Sequence, residues 1–143
     1  MGRMSRTKGA AFECLIVRLY RERFGWDPRE CYRSAPLQAA AGDRAGDITT
    51  PMPVWHELGH GKQIAPHAKL VQAEEACRGE SYAVAVTRQD GRPIMVTLSV
   101  GSLVEMVMPS SGTPSCQASC SIVTMTWDDW LDLVDEWWAG VRR

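Results

Sequence analysis

No apolar run in this sequence approaches the roughly 20 residues that a helix needs to cross a bilayer, so a transmembrane protein is not expected. The N-terminal residues are rich in Arg and Lys and lack the apolar stretch of a secretory signal. There is no Cys-x2-Cys pair, and Cys116-x3-Cys120 has no second pair near it, so the spacings fail for a zinc site even with His56, His60 and His67 available. The five cysteines are an odd number, which fits a reducing, intracellular compartment better than a disulfide framework. There is no Gly-x-Ser-x-Gly elbow, and no Cys–His order that would indicate a cysteine nucleophile. The phosphate loop Gly-x4-Gly-Lys-Ser/Thr is missing as well, which argues against a nucleotide cofactor.

What is present is a chain of 143 residues with 45% apolar content, long enough for a real core and too apolar for disorder. The formal net charge of −1 hides an asymmetry. Residues 1–33 are basic in balance, and the tail is acidic through Asp128, Asp129, Asp132, Asp135 and Glu136. A basic end and an acidic end suggest that one face meets a polyanion, the other reading being solvated charge.

Residues 1–6 read as a basic arm and Thr7 to Phe24 as a helix, with Phe12, Leu15, Ile16 and Leu19 at helical spacing and Gly25 as the stop. Glu13 falls at the edge of the buried side, where an acid must be paired or bound to a cation. A short strand at Glu30 to Ala35 carries Arg33, and residues 36–46 form a small-residue loop. Gly46 permits close backbone approach just before Asp47, which opens the next strand. Val54 to Leu58 is a strand whose alternation puts Trp55 and Glu57 on one face and Val54, His56 and Leu58 on the other. Gly59 to Lys62 is too glycine-rich to extend it. A helix from about Ala65 to Arg78 carries Gln72. Tyr82 to Thr87 is a central strand, Asp90-Gly91 a hairpin turn, and Pro93 to Ser99 the returning strand.

Residues 101–107 suit a short helix. Met95 to Val107 then aligns without gaps to Ile122 to Val134, and both stretches read as strand then amphipathic helix. The last helix sets Trp127, Trp130, Leu131, Val134 and Trp138 on one stripe, suited to a core or to a dimer face. The expected class is α/β, a central mixed β-sheet flanked by helices. Its parts are a core at 1–108, a Ser/Pro/Gly-rich connector at 109–121, and a strand–helix extension at 122–143 that packs on the core or on a partner.

Lys8-Gly9-Ala10-Ala11-Phe12-Glu13 on the first helix resembles the Lys-Gly-x-x-x-Glu opening of archaeal-type Holliday junction resolvases. Arg33, Asp47 and Glu57 follow in that family's order, which is also the outline of the PD-(D/E)xK nuclease superfamily. Residues 55–91 look like small phage-encoded members. The resemblance covers roughly residues 5–100 and implies a restriction-endonuclease-like αβββαβ core with an extra C-terminal βα segment. The implied activity is Mg2+- or Mn2+-dependent endonuclease cleavage of branched DNA by a homodimer, in the cytoplasm of a bacterial or phage-infected cell.

In that reading Asp47, Glu57, the Leu58 carbonyl and Glu13 hold metal, while Arg6, Lys8, Arg33 and Gln72 contact DNA or the site. The family's lysine belongs two residues after the acid, where this chain has Gly59. Lys62 is the first replacement, if Gly59 and Gly61 let the strand bulge, and Lys69 on the second helix is the other. A nuclease-fold module that binds DNA or protein without cutting is the rival reading, and a restriction or repair nuclease of the same superfamily the nearer alternative.

Overall fold

A computed structural model describes residues 3–34, 46–77, 81–109 and 121–143, with side chains from Thr7 onward. The elements are α1 (Arg3–Phe24), β1 (Tyr32–Arg33), β2 (Ile48–Thr49), β3 (Val54–Gly61), α2 (Pro66–Ala76), β4 (Tyr82–Gln89), β5 (Met95–Ser99), α3 (Val100–Val107), β6 (Ile122–Thr126) and α4 (Trp127–Val141). The expected loop at 36–46, apart from Gly46, and most of the connector, with Cys116 and Cys120, lie outside the described residues.

The strands form one mixed sheet in the order β1-β2-β3-β4-β5-β6. β3 and β4 are its parallel pair, and the other neighbours are antiparallel. The fold is therefore α/β, a six-stranded mixed sheet flanked by helices.

Alternation along β3 and β4 divides the core. Val54, Leu58, Val84 and Val86 face one way and pack with Phe12, Ile16, Val17 and Tyr20 of α1 and with Trp127, Trp130, Leu131 and Val134 of α4. Trp55, Ala83 and Ala85 face the other way, under Leu70, Ala73 and Cys77 of α2 and its end. The small side chains of β4 let α2 sit close to the sheet. Gly25, at φ 67, ends α1 and donates its N–H to Arg21 O at 2.8 Å, as a left-handed C-cap does.

Two expectations about boundaries are corrected. α1 begins at Arg3, not Thr7, because nothing in the basic arm breaks a helix. β3 runs through Gly59 and His60 to Gly61, in unbroken register with β4 from Val54↔Tyr82 to Gly61↔Gln89. No bulge forms, since the long apolar strand β4 offers ladder partners along the whole length and holds the glycines extended.

The two similar strand–helix stretches are both present. β5 leads into α3 and β6 into α4, and the equivalent residues Ser99 and Thr126 cap the two helices, accepting N–H bonds from Ser102 and Asp129. The strands pair antiparallel with Thr97 opposite Thr124, equivalent positions whose hydroxyls lie 2.9 Å apart. A local two-fold axis thus passes between these threonines. The stripe of α4 is core: Trp127, Trp130, Leu131 and Val134 are buried, and Trp137 is buried more deeply than Trp138.

Candidate functional site

Glu57 projects from the middle of β3 toward α2 and is only 7% exposed. Its two oxygens accept hydrogen bonds from Trp55 Nε1 and from Gln72 Nε2, each at 3.3 Å. Burial raises its pKa, and the charge of Asp47 raises it further; Trp55 and Lys69 act in the opposite direction. A carboxylate whose proton affinity is raised by burial and by a second carboxylate beside it can hold a cation in the proton's place.

Asp47 stands just before β2. Its backbone N–H donates to His56 O at 2.8 Å, its carbonyl accepts from Ser34 N–H at 3.0 Å, and its Oδ2 accepts from Leu58 N–H at 2.7 Å. The N–H and C=O of one residue leave a strand toward the same edge. The Leu58 carbonyl therefore leaves β3 on the side of Asp47. Gly46 makes the close approach possible: a Cβ there would lie 2.6 Å from His56 O and 2.9 Å from His56 N.

The lysines are sorted by the sheet. Lys69, in the second turn of α2, is half-buried, acts electrostatically on Glu57, and donates to Gln72 Oε1 at 3.4 Å. A Cβ on Gly59 would lie 3.3 Å from Lys69 Cε and 3.6 Å from its Cγ. The Lys69 stem therefore fills the space that a side chain at position 59 would occupy. Lys62 is exposed and contributes instead to the field on Asp90, whose carboxyl the Lys8 hydrogen bond above all holds below the usual range. Asp90 accepts from Lys8 Nζ at 3.0 Å and faces His60 Nε2 at 3.2 Å, while the His60 ring lies against Phe12 of α1. That cationic group belongs to the α1 side of the sheet.

Glu13 and Arg33 are partners of each other. Arg33 Nε and Nη2 each lie 2.7 Å from Glu13 Oε2, and the hydrogen bond raises the guanidinium's pKa. Gln72 reaches the site as expected from its helix. Lys8 is exposed beside Asp90, and the side chain of Arg6 lies outside the described residues. The structure thus brings together Asp47, Glu57, the Leu58 backbone, Lys69 and Gln72, and sets Glu13–Arg33 and Lys8–Lys62 in two other groups.

Two features escape sequence reasoning. The Trp55 hydrogen bond to Glu57 was signalled by their shared strand face and depends on the indole's reach. Behind the site, Trp130 Nε1–H donates to the Tyr20 hydroxyl at 2.7 Å, which leaves the hydroxyl proton for His56 Nε2 at 2.8 Å. The His56 ring is fully buried, and burial lowers its pKa to about 3. It is therefore neutral, with its proton on Nδ1, which faces the Val54 backbone without forming a good hydrogen bond.

Among the described residues no group of three or more His, Cys, Asp or Glu side chains could hold a metal ion together. The donors at Asp47 and Glu57 are two carboxylates beside a backbone carbonyl, all hard oxygens. That set suits Mg2+ or Mn2+, which take one or two carboxylates and keep several waters. Among the described residues no helix is long and apolar enough to cross a membrane.

The sheet and its flanking helices define an α/β protein with a buried carboxylate, Glu57, hydrogen-bonded between β3 and α2. In comparisons with protein-family models, curated proteins and solved structures, nothing matches the chain.

Proposed function

We propose that this protein is a metal-dependent DNA endonuclease of the PD-(D/E)xK type, with a restriction-endonuclease-like core and Holliday junction resolvase activity as a homodimer. The observation that carries the reading is the pairing of Asp47 with Glu57 under a lysine that lies over Gly59. Asp47, Glu57 and the Leu58 carbonyl would hold Mg2+ or Mn2+. When bound, the cation supplies charge neutralisation at the phosphate and acidifies a bound water.

The chain's own residues do the rest. Trp55 and Gln72 fix both oxygens of Glu57, so the carboxylate is aimed before substrate arrives. The Leu58 N–H fixes Asp47 in the same way. Lys69, held by Gln72, orients the attacking water or a phosphate oxygen with its ammonium. Lys8 and Lys62 offer positive charge to backbone phosphates on the α1 side, where contacts position DNA without reading bases. The Glu13–Arg33 pair braces α1 against β1 beside the site.

The test is cleavage of a labelled four-way junction beside linear duplex of the same sequence, with Mg2+ and with chelator, by the parent chain and by Asp47→Asn. Paired symmetric cuts on the junction, lost in the variant while binding is kept, support the proposal. Cuts on every substrate retain the nuclease and remove junction specificity. Tight junction binding with no cut under any divalent metal leaves a binding module.

A further inference from the structure

The face of the sheet that carries Glu57 continues into a second hollow. Gly59, Thr87 and Met95 are register partners on β3, β4 and β5, so they form one row across three strands. Ile64 covers the near end of the row: its Cδ1 lies 3.6 Å from a Cβ built on Gly59 and 3.8 Å from one on Gly61. Beyond Ile64 opens a cavity of about 360 Å3. Pro66, Pro93 and Met95 complete its apolar walls with Ile64, and Thr87, Gln89 and Arg92 supply its polar groups.

Three properties define what fits. The volume is near the lower end for small-molecule sites, about 300 Å3 upward, which suits one flat ring system with a small polar attachment. The walls are aliphatic and can sandwich a π-face without reading its edge. Arg92 is exposed at the mouth and makes no ion pair with a described residue. Its backbone is nevertheless fixed, donating to Gln89 O at 2.9 Å and accepting from Arg88 Nε at 3.3 Å. A guanidinium on an anchored turn is a ready anion partner. Lys69 and Arg92 thus flank Ile64 on the same sheet face, each suited to one phosphate of a strand that passes over it.

We propose that this cavity is a nucleotide subsite: it receives the base adjoining the phosphate bound at Asp47 and Glu57, with Arg92 on the next phosphate. Its place in cleavage rests on the nuclease reading above, whereas its binding chemistry does not. A base seated there must leave its stack, so unpaired or easily unpaired nucleotides enter most readily. The cavity therefore selects for strands near a branch or an end.

Methyl resonances of Ile64 and Met95 in the full chain, titrated with dAMP, with deoxyribose 5-phosphate and with inorganic phosphate, test the proposal. The expected result is saturable shifts of both methyls by dAMP, binding about tenfold weaker for the baseless sugar phosphate, and no methyl shift with inorganic phosphate. Arg92→Ala weakens dAMP about fivefold. Unmoved methyls at millimolar dAMP overturn the subsite, as does equal binding of dAMP and the baseless sugar phosphate. Intact methyl shifts in a chain that cuts no DNA with any divalent metal remove the nuclease reading alone; cutting without methyl shifts removes the subsite alone.

Discussion

Lys69 lies across Gly59: the lysine's Cε stands 3.3 Å from where a Cβ of residue 59 would be. A helix thus supplies to the strand face what the strand lacks, and the two positions are alternatives for one volume. Lys69→Ala is expected to lower cleavage by at least about a hundredfold, the scale of a lost general acid–base or charge-stabilising group. Lys62→Ala should leave kcat near the parent and weaken DNA binding only. Gly59→Lys placed in the Lys69→Ala chain should restore part of the rate, because removal of the long stem empties the site of conflict. Single-turnover kinetics on the three variants read the result, and equal losses for Lys62→Ala and Lys69→Ala would sink the assignment.

A methyl group at position 46 has nowhere to go. Backbone atoms of His56 lie 2.6 and 2.9 Å from it, and backbone cannot swing aside as a flexible side chain can. Gly46→Ala is expected to cost about 1–3 kcal/mol by forcing β2 away from β3. Asp47 moves with it, so metal affinity should fall as well. Urea denaturation and metal calorimetry on the same sample measure both effects.

The proton on Glu57 and a cation compete for one carboxylate. Burial and Asp47 raise the Glu57 pKa, so the folded chain holds this proton above the pH at which an unfolded Glu releases it. That group's contribution to stability therefore declines as pH rises from the ordinary carboxylate range through the raised value. Mg2+ or Mn2+ affinity should rise over the same interval and then level off, with proton release visible as buffer-dependent heat. Glu57→Gln is expected to remove this pH dependence and to abolish metal binding, while its amide N–H2 faces one of the two donors that now serve the carboxylate. A metal affinity independent of pH across the carboxylate range would contradict this linkage.

Tyr20 joins the buried His56 to Trp130 through its one hydroxyl. Tyr20→Phe leaves two polar atoms without partners, at about 1–3 kcal/mol for each. His56 adds a pH slope of definite sign. Its folded pKa is depressed to about 3, so below the unfolded value the unfolded chain binds a proton that the folded one refuses. Stability should thus fall as pH drops from about 6.5 toward 3, by up to about 1.4 kcal/mol per unit. Thermal melts of the parent and of His56→Phe across that interval isolate this part of the slope.

Much of the architecture was legible because it rests on local pattern. The apolar spacing of Phe12, Ile16 and Tyr20, the run from Tyr82 to Thr87 and the turn at Asp90-Gly91 each specify an element from near neighbours, and the ten elements among the described residues appear in the expected order. The close approach at Gly46 was legible because a glycine beside an extended run leaves room for backbone, and the Gln72 contact with Glu57 came only from the family resemblance. The end of β3 was not, since only the ladder with β4 keeps Gly59 and Gly61 extended. The pairing of Glu13 with Arg33 joins α1 to β1, a relation that no spacing encodes. Lys69 was one of two lysines until the crossover set α2 over Gly59, because which helix turn covers which strand residue is decided by packing of Leu70 and Ala73, not by distance along the chain.

The bond from Trp130 to Tyr20 spans 110 positions. α1 and β3 therefore cannot settle their shared interior until nearly the last helix has been made. During synthesis the first half of the chain waits with Tyr20 and His56 unsatisfied, and closure comes as one late, long-range event. Chains cut short before Trp130 should be seized by proteases or aggregate.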